Sequence, residues 1–311
     1  MADVRALEHA EEFEEVIRIR QRGLWSDAFR RMIRNRLAMI AVIVLAAVVI
    51  LALVGNYVDA VQRYEPSFQD YGVRRSDPTW DHFFGTDQLG RDQWARVLQG
   101  LLISLQVGLG VAGVVLVLGM LIGGIAALGG RLLDNLMMRI TDLAYAFPDL
   151  LFIILLRGAL EGWDGVPIVG EPVMQLIIAI SLVGWVTIAR LVRGQMLSLR
   201  EQDFVLAAEA MGAPRWRIVF LHMLPNTLGP VIVAAVFVIP LAIFAEAVLS
   251  FIGFGIEAPT ASLGGLVSTG YDEIRIHTWM VITPAAAIAI LMLCFTFLGD
   301  GLRDALDPRG H

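Results

Sequence analysis

The sequence predicts an all-α integral membrane protein with six transmembrane helices and both termini on the cytoplasmic side. Three observations carry that prediction. The 311 residues are 57% hydrophobic and only 17% charged, with a mean hydropathy of +0.69, whereas a soluble domain carries about a quarter charged residues. Charge-free apolar runs reach the roughly 20 residues that an α-helix needs to cross a bilayer core of about 30 Å. The arginines, finally, gather in alternate connections between those runs.

The composition also excludes chemistry. All 24 basic residues are arginine and none is lysine, which removes Schiff-base chemistry and the lysine of a phosphate-binding P-loop. Any ATP used must be bound by another polypeptide. A net charge of −6 implies no acidic face, because the acids concentrate between Asp3 and Glu15 and in loops, and no nucleic-acid partner is indicated. Cys294 is the only cysteine, so neither an intrachain disulfide nor a multi-cysteine metal site can form. His82, His222 and His277 are isolated in sequence, and no metal site is predicted.

The elements follow in order. Residues 1–36 are a cytoplasmic N-terminal extension ending in an interfacial helix: Ser26 can cap it, and Ala28, Phe29, Met32 and Ile33 recur at helical spacing among Arg30, Arg31, Arg34 and Arg36. The transmembrane part, 37–311, opens with a span at Leu37 to Val58. The first apolar run is longer than a signal-peptide core, so an uncleaved helix is expected. An extracytoplasmic segment, 59–96, leads to Val97 to Gly130, whose 34 charge-free residues exceed one crossing. Its Gly119 and Gly123 stand in the GxxxG spacing that lets helix backbones approach.

A third span is expected near Leu136 to Leu160, interrupted by Asp142, Asp149 and Arg157. The fourth is Val173 to Ala189. The fifth, Leu228 to Ile256, is broken by Pro240 and Glu246, and the sixth is Thr278 to Gly299. Trp94, Trp163 and Trp279 fall near outer boundaries, where indole favours the interface. With the N-terminus inside, 17 of the 24 arginines lie on the cytoplasmic side, as the positive-inside rule requires.

The longest cytoplasmic connection, 190–227, is not a plain linker. Asp203 to Met211 has helical composition, Gly212 can end that helix in a left-handed cap, and Pro214 suits the first turn of the next. Two short helices meeting at a bend make a knob that a soluble partner can grip. Within the spans, Glu246 needs either a cavity or a hydrogen-bonded neighbour, because an ionisable group is costly in the bilayer. Asp142 is expected to pair with arginine or cap a helix. Asp149, after Pro148, can face a pathway. In HFFGTDQLGRD at His82 to Asp92, turns at Gly85 and Gly90 precede a helix that Asp92 caps.

The connection resembles the EAA loop of binding-protein-dependent importers. Ala207, Ala208, Gly212, Leu224 and Pro225 match its pattern in register, while Leu206 replaces its glutamate and His222 its isoleucine. HFFGTDQLGRD, MRITDLAYAFPDLL at Met138 to Leu151, AEAVLSFIGFG at Ala245 to Gly255 and LGDGLRDALDPR at Leu298 to Arg309 are similar to the second permease subunit of the dipeptide, oligopeptide and nickel group. The TASLG stretch at Thr260 to Gly264 lacks the tryptophan expected before Gly264.

This resemblance implies the permease fold of a type I ABC importer, working as a multi-pass heterodimer in a bacterial or archaeal cytoplasmic membrane. It implies a second related permease, two cytoplasmic ATPase subunits holding ATP and Mg, and an extracytoplasmic substrate-binding protein. No cofactor is expected on this chain, which is not itself an enzyme. Peptides are the expected cargo, with nickel chelates or glutathione-like compounds carried by relatives. ATPase coupling would fall to Ala207, Ala208, Gly212, Ala213, Pro214, Leu224 and Pro225. The pathway or permease interface would involve Glu246, Asp149 and Asp142, and binding-protein contact Asp87, Arg91 and Asp92.

Two other classes compete. An ion-coupled secondary transporter would use Glu246 and Asp149 as relays, but has no reason to carry an EAA-like loop. An intramembrane enzyme would need a nucleophile with its base or paired metal ligands, and no HExxH motif is present.

Overall fold

A computed structural model describes residues 24–161 and 169–306. The extension at 1–20, Trp163 and the final residues through Arg309 therefore lie outside the described residues. Everything regular within them is helical, apart from one isolated antiparallel bridge between Thr86 and Asp92.

Helix α1, Leu24–Arg34, already contains Ser26, so that residue does not cap it. Asn35 separates it from α2, Arg36–Tyr57, and its side chain accepts from the backbone N–H of Leu37 and Ala38. A short helix α3, Asp59–Gln62, opens the outer segment. Asp92 then caps α4, Gln93–Leu128. At about 1.5 Å per residue, the 36 residues of α4 extend about 54 Å, well beyond a bilayer core.

The third crossing departs from expectation. It is two helices, α5 at Gly130–Tyr145 and α6 at Asp149–Leu160, bent by 92°. Proline supplies the reason: Phe147 precedes Pro148, which disfavours helical geometry at that residue, and Pro148 has extended ψ at 120° as it caps α6. The remaining helices are α7, Pro172–Arg200, α8 at Asp203–Ala210, α9 at Arg215–Ile218, α10 at Leu224–Phe251, α11 at Leu263–Tyr271 and α12 at Trp279–Leu306, of which α7, α10 and α12 are crossings.

Five helical stretches are long and apolar enough to span a membrane, six if the bent pair is one crossing. The fifth is not broken, contrary to expectation, since α10 runs through Pro240. Proline inside a membrane helix is tolerated where neighbours re-satisfy the freed backbone groups, and Pro240 is buried.

Helices α4 and α7 form the central pair. A Cβ on Gly119 would stand 2.5 Å from Ile188, and one on Gly123 would stand 2.4 Å from the Ala189 carbonyl. The GxxxG spacing is thus where the two backbones meet. Around them Val107, Val111, Ile188, Val192 and Met196 form one core that continues into Val205 and Ala208 of α8. Ala52, Leu101, Ile243, Leu263, Leu291 and Phe295 form a second, joining α2, α4, α10, α11 and α12. Helix α2 leaves Ile40, Ile43 and Ile50 about 60% exposed, the outward apolar face that a helix presents to lipid.

Candidate functional site

The elbow begins where α8 stops. Gly212 has φ +77°, the left-handed conformation that ends helices and favours glycine. The N–H of Ala213 donates to the Ala208 carbonyl at 3.1 Å, and that of Gly212 to Glu209 at 2.9 Å. Pro214 then starts the next turn, its carbonyl accepting from Arg217 and Ile218.

Val205, Ala208, Ile218 and Val219 point into the core. Ala207, Gly212, Pro214 and Pro225 are exposed, whereas Ala213 and Leu224 are half-buried. Outward apolar side chains dominate the knob: Met211 is 81% exposed and Trp216 66%, with Phe204, Leu206, Phe220 and Leu221 also exposed. Such a concentration of exposed apolar groups marks an interaction surface.

From α9 the chain enters the fifth crossing without a break. Residues Val219–Met223 make a π turn in which the Leu224 N–H reaches the Val219 carbonyl. Pro225 follows immediately. Because proline cannot donate to the carbonyl four residues earlier and crowds it, a local π turn accommodates it. The continuous helix is Trp216–Phe251, so displacement of the elbow is transmitted directly to α10.

The outer segment has a different construction. Asp87 accepts the N–H of Leu89 at 2.8 Å and of Arg91 at 3.0 Å, and receives Nε of Arg91 at 2.7 Å and the guanidinium of Arg96. Asp92 accepts the Ala95 N–H at 2.8 Å while its second oxygen meets His82 Nδ1 at 2.8 Å. All three predicted contact residues, Asp87, Arg91 and Asp92, are no more than 6% exposed. Their side chains hold the segment together, so direct contact with an outside protein is closed to them as folded. Their exposed neighbour Trp80 and the paired Arg75 and Glu273 form the outward face instead.

Tryptophans also bind this segment down. Trp94 donates to the Val61 carbonyl at 2.9 Å and packs edge-on against Phe83 and Phe84. Trp279 donates to Asp77 at 3.3 Å.

Glu246 is fully buried within the chain, accepting from Ser104 Oγ of α4 at 3.0 Å and Ser250 Oγ at 2.8 Å. Of its two predicted roles, the structure supports the hydrogen bond to a neighbouring helix; the carboxylate reaches neither a cavity nor an outer face of the chain. Asp142 pairs with Arg190 at 2.8 Å, and Asp134 with Arg193 Nη2 at 2.6 Å. These pairs fix α5 across the arginine-rich end of α7. Arg157, the third charge interrupting the expected span, is buried in α6 and donates to Gln175.

Asp149 is different. Exposed at the start of α6, it lines a cavity of about 660 Å³ between α4, the end of α5, α6, α7 and α10. Neither that cavity nor the inward partners of Glu246 could be read from the sequence. The signal available was Pro148, which marks where α6 starts.

Residues 98–310 match the family model for the binding-protein-dependent transport system inner membrane component. Residues 23–78 match that for the N-terminal membrane domain of oligopeptide transport permease C. The oligopeptide transport system permease protein OppC of Bacillus subtilis is 38% identical over 287 residues, covering 92% of this chain and 90% of the relative. OppC of Escherichia coli K12 is 38% identical, covering 97% of each chain. The dipeptide permease DppC of Bacillus subtilis is 39% identical, covering 91% of this chain and 85% of its own length. Among solved structures, an inward-facing MetNI methionine ABC transporter matches with a TM-score of 0.56 and 19% identity, covering 68% of this chain and 96% of the other, a likeness of fold.

Proposed function

The chain belongs to the family of binding-protein-dependent transport inner membrane components, and from that premise we propose that it forms half of a pore that imports peptides at the expense of ATP. The family supplies pore subunits, and ATP hydrolysis is carried out on separate ATPase subunits. For this protein the cargo is di- or oligopeptides, as the names of its relatives indicate. Its partners are a second permease, two cytoplasmic ATPases that hold ATP and Mg, and an extracytoplasmic binding protein. Its site is the inner membrane of a bacterial or archaeal cell.

One observation carries the mechanism: the apolar knob around Gly212 runs as unbroken helix from Trp216 into the membrane. An ATPase cleft closing on Met211 and Trp216 pulls on α10, which packs on α4, α7 and α12. The two related permeases then tilt against each other and exchange outward for inward access. Ala208 anchors the knob to the core, Gly212 and Ala213 set its bend, and Leu224 and Pro225 join it to the span.

The test is reconstitution of the five-subunit assembly in liposomes with labelled tripeptide. Uptake that requires both ATP and the ATPase subunits, and survives an uncoupler, supports the reading. Uptake abolished by the uncoupler at constant ATP would favour an ion-driven carrier.

A further inference from the structure

The cavity between α4, the end of α5, α6, α7 and α10 has an uneven lining. Its walls are apolar and include Val183, Phe237 and Phe244, with Tyr145 and Thr187 as polar neighbours. Asp149 is its single carboxylate, and no cationic side chain lines it. The volume of about 660 Å³ falls within the roughly 300–1,000 Å³ of small-molecule sites.

Asp149 reaches this cavity as an exposed carboxylate in the first turn of α6, and an ionised acceptor of this kind favours a cationic donor. This chain provides no cation for Asp149. Arg190, whose guanidinium lies 4.9 Å from the Tyr145 ring centre, is held by Asp142 at 2.8 Å. No ion pair to Asp149 exists among the described residues, in contrast to Asp87, Asp134 and Asp142. Glu246, the buried acid of the neighbouring α10, is satisfied by serine hydroxyls.

We propose that Asp149 is a binding residue for the cargo in transit, receiving the ammonium group of a peptide's amino terminus as it passes along the cavity. An acceptor-only group selects a charged donor, and a peptide with a free amino terminus supplies one whatever its sequence. Apart from the hydroxyls of Tyr145 and Thr187, the surrounding wall is apolar and offers little to discriminate between side chains. A single fixed charge with indifferent walls therefore suits a cargo class that shares one cationic end and varies elsewhere. The inference rests on the reading of this chain as half of a peptide pore.

The experiment uses the reconstituted five-subunit assembly and a labelled tripeptide with a free amino terminus. Asp149→Asn keeps the size of the side chain and removes the charge. Peptide moved per ATP hydrolysed is expected to fall about tenfold, and Asp149→Glu to restore it to within about twofold. Unchanged coupling in Asp149→Asn would overturn the proposal, as would failure of the glutamate to restore it. Dissociation of the two permeases in detergent on Asp149→Asn would also overturn it, by assigning the carboxylate to the partner subunit. If the unaltered assembly moved no peptide while hydrolysing ATP, the pore reading itself would fail.

Discussion

Two glycines with nearly the same backbone teach what separates the two ends of this molecule. Gly90 in the outer segment and Gly212 in the elbow have φ of +76° and +77°. A Cβ on Gly90 would lie 1.7 Å from the Asp70 carbonyl oxygen, while one on Gly212 would meet nothing within 4 Å. The outer segment turns inward on itself, with its charges buried against one another. The elbow turns outward and leaves its apolar groups uncovered. Motif residues in the first hold shape, whereas the second presents the apolar side chains of Met211 and Trp216 outward.

That contrast breaks first at Asp87. Replacing it with alanine leaves Arg91 and Arg96 buried without their carboxylate, and loss of one partner from a buried pair costs about 3–5 kcal/mol. Thermal unfolding in detergent should drop sharply or the protein should fail to accumulate; near-normal stability would mean the cluster is not structural. Gly90→Ala comes next, because the clash is with backbone that cannot rotate aside. It should destabilise by more than the roughly 1–2 kcal/mol that left-handed geometry alone costs a side chain.

Gly212→Val sharpens the comparison from the other side. Its strain is local, on the order of 1–2 kcal/mol, so insertion and assembly with the second permease should survive. Peptide uptake per ATP should nevertheless fall, since the bend presented to the ATPase changes. Normal coupling in this variant would remove the elbow's role. Met211→Ser, at an 81% exposed position, should alter stability by no more than about 0.5 kcal/mol, yet weaken co-purification with an ATPase subunit.

The smallest effect is expected at Glu246→Gln. Hydroxyls both donate and accept, so Ser104 and Ser250 can reorient toward an amide. Thermal stability and permease pairing should stay close to normal, and loss of pairing would place Glu246 at the subunit interface after all.

Most of the spans were legible because a membrane helix advertises itself in about 20 consecutive apolar residues, and Leu37 to Val58 against Arg36–Tyr57 differs by one residue at each end. The third crossing was not, because Asp142 and Asp149 serve two different helices. Asp142 pairs sideways with Arg190, whereas Asp149 starts a new helix after Pro148. At the elbow the register of Ala207, Ala208 and Gly212 was visible, and Gly212 adopts the left-handed turn expected of it. The π turn before Pro225 was not visible, since it is the backbone's response to a missing donor.

In the outer motif the cap at Asp92 was readable from local spacing. The burial of Asp87 was not, because it depends on Arg96 folding back and on Thr86 bridging Ser76 and Val73. Glu246 marks the sharpest limit. Ser250 lies four residues away on the same helix, but Ser104 is 142 residues distant, and nothing local announces that meeting.

Because the chain's own cysteine, Cys294, is buried, a single Met211→Cys substitution gives the elbow a unique reactive handle. During ATP-driven peptide uptake in vesicles, a short bifunctional cross-linker should join this cysteine to an ATPase subunit and stop transport. Labelling of the same cysteine from the extracytoplasmic side by a membrane-impermeant thiol reagent, with no cross-link to the ATPase, would contradict the account.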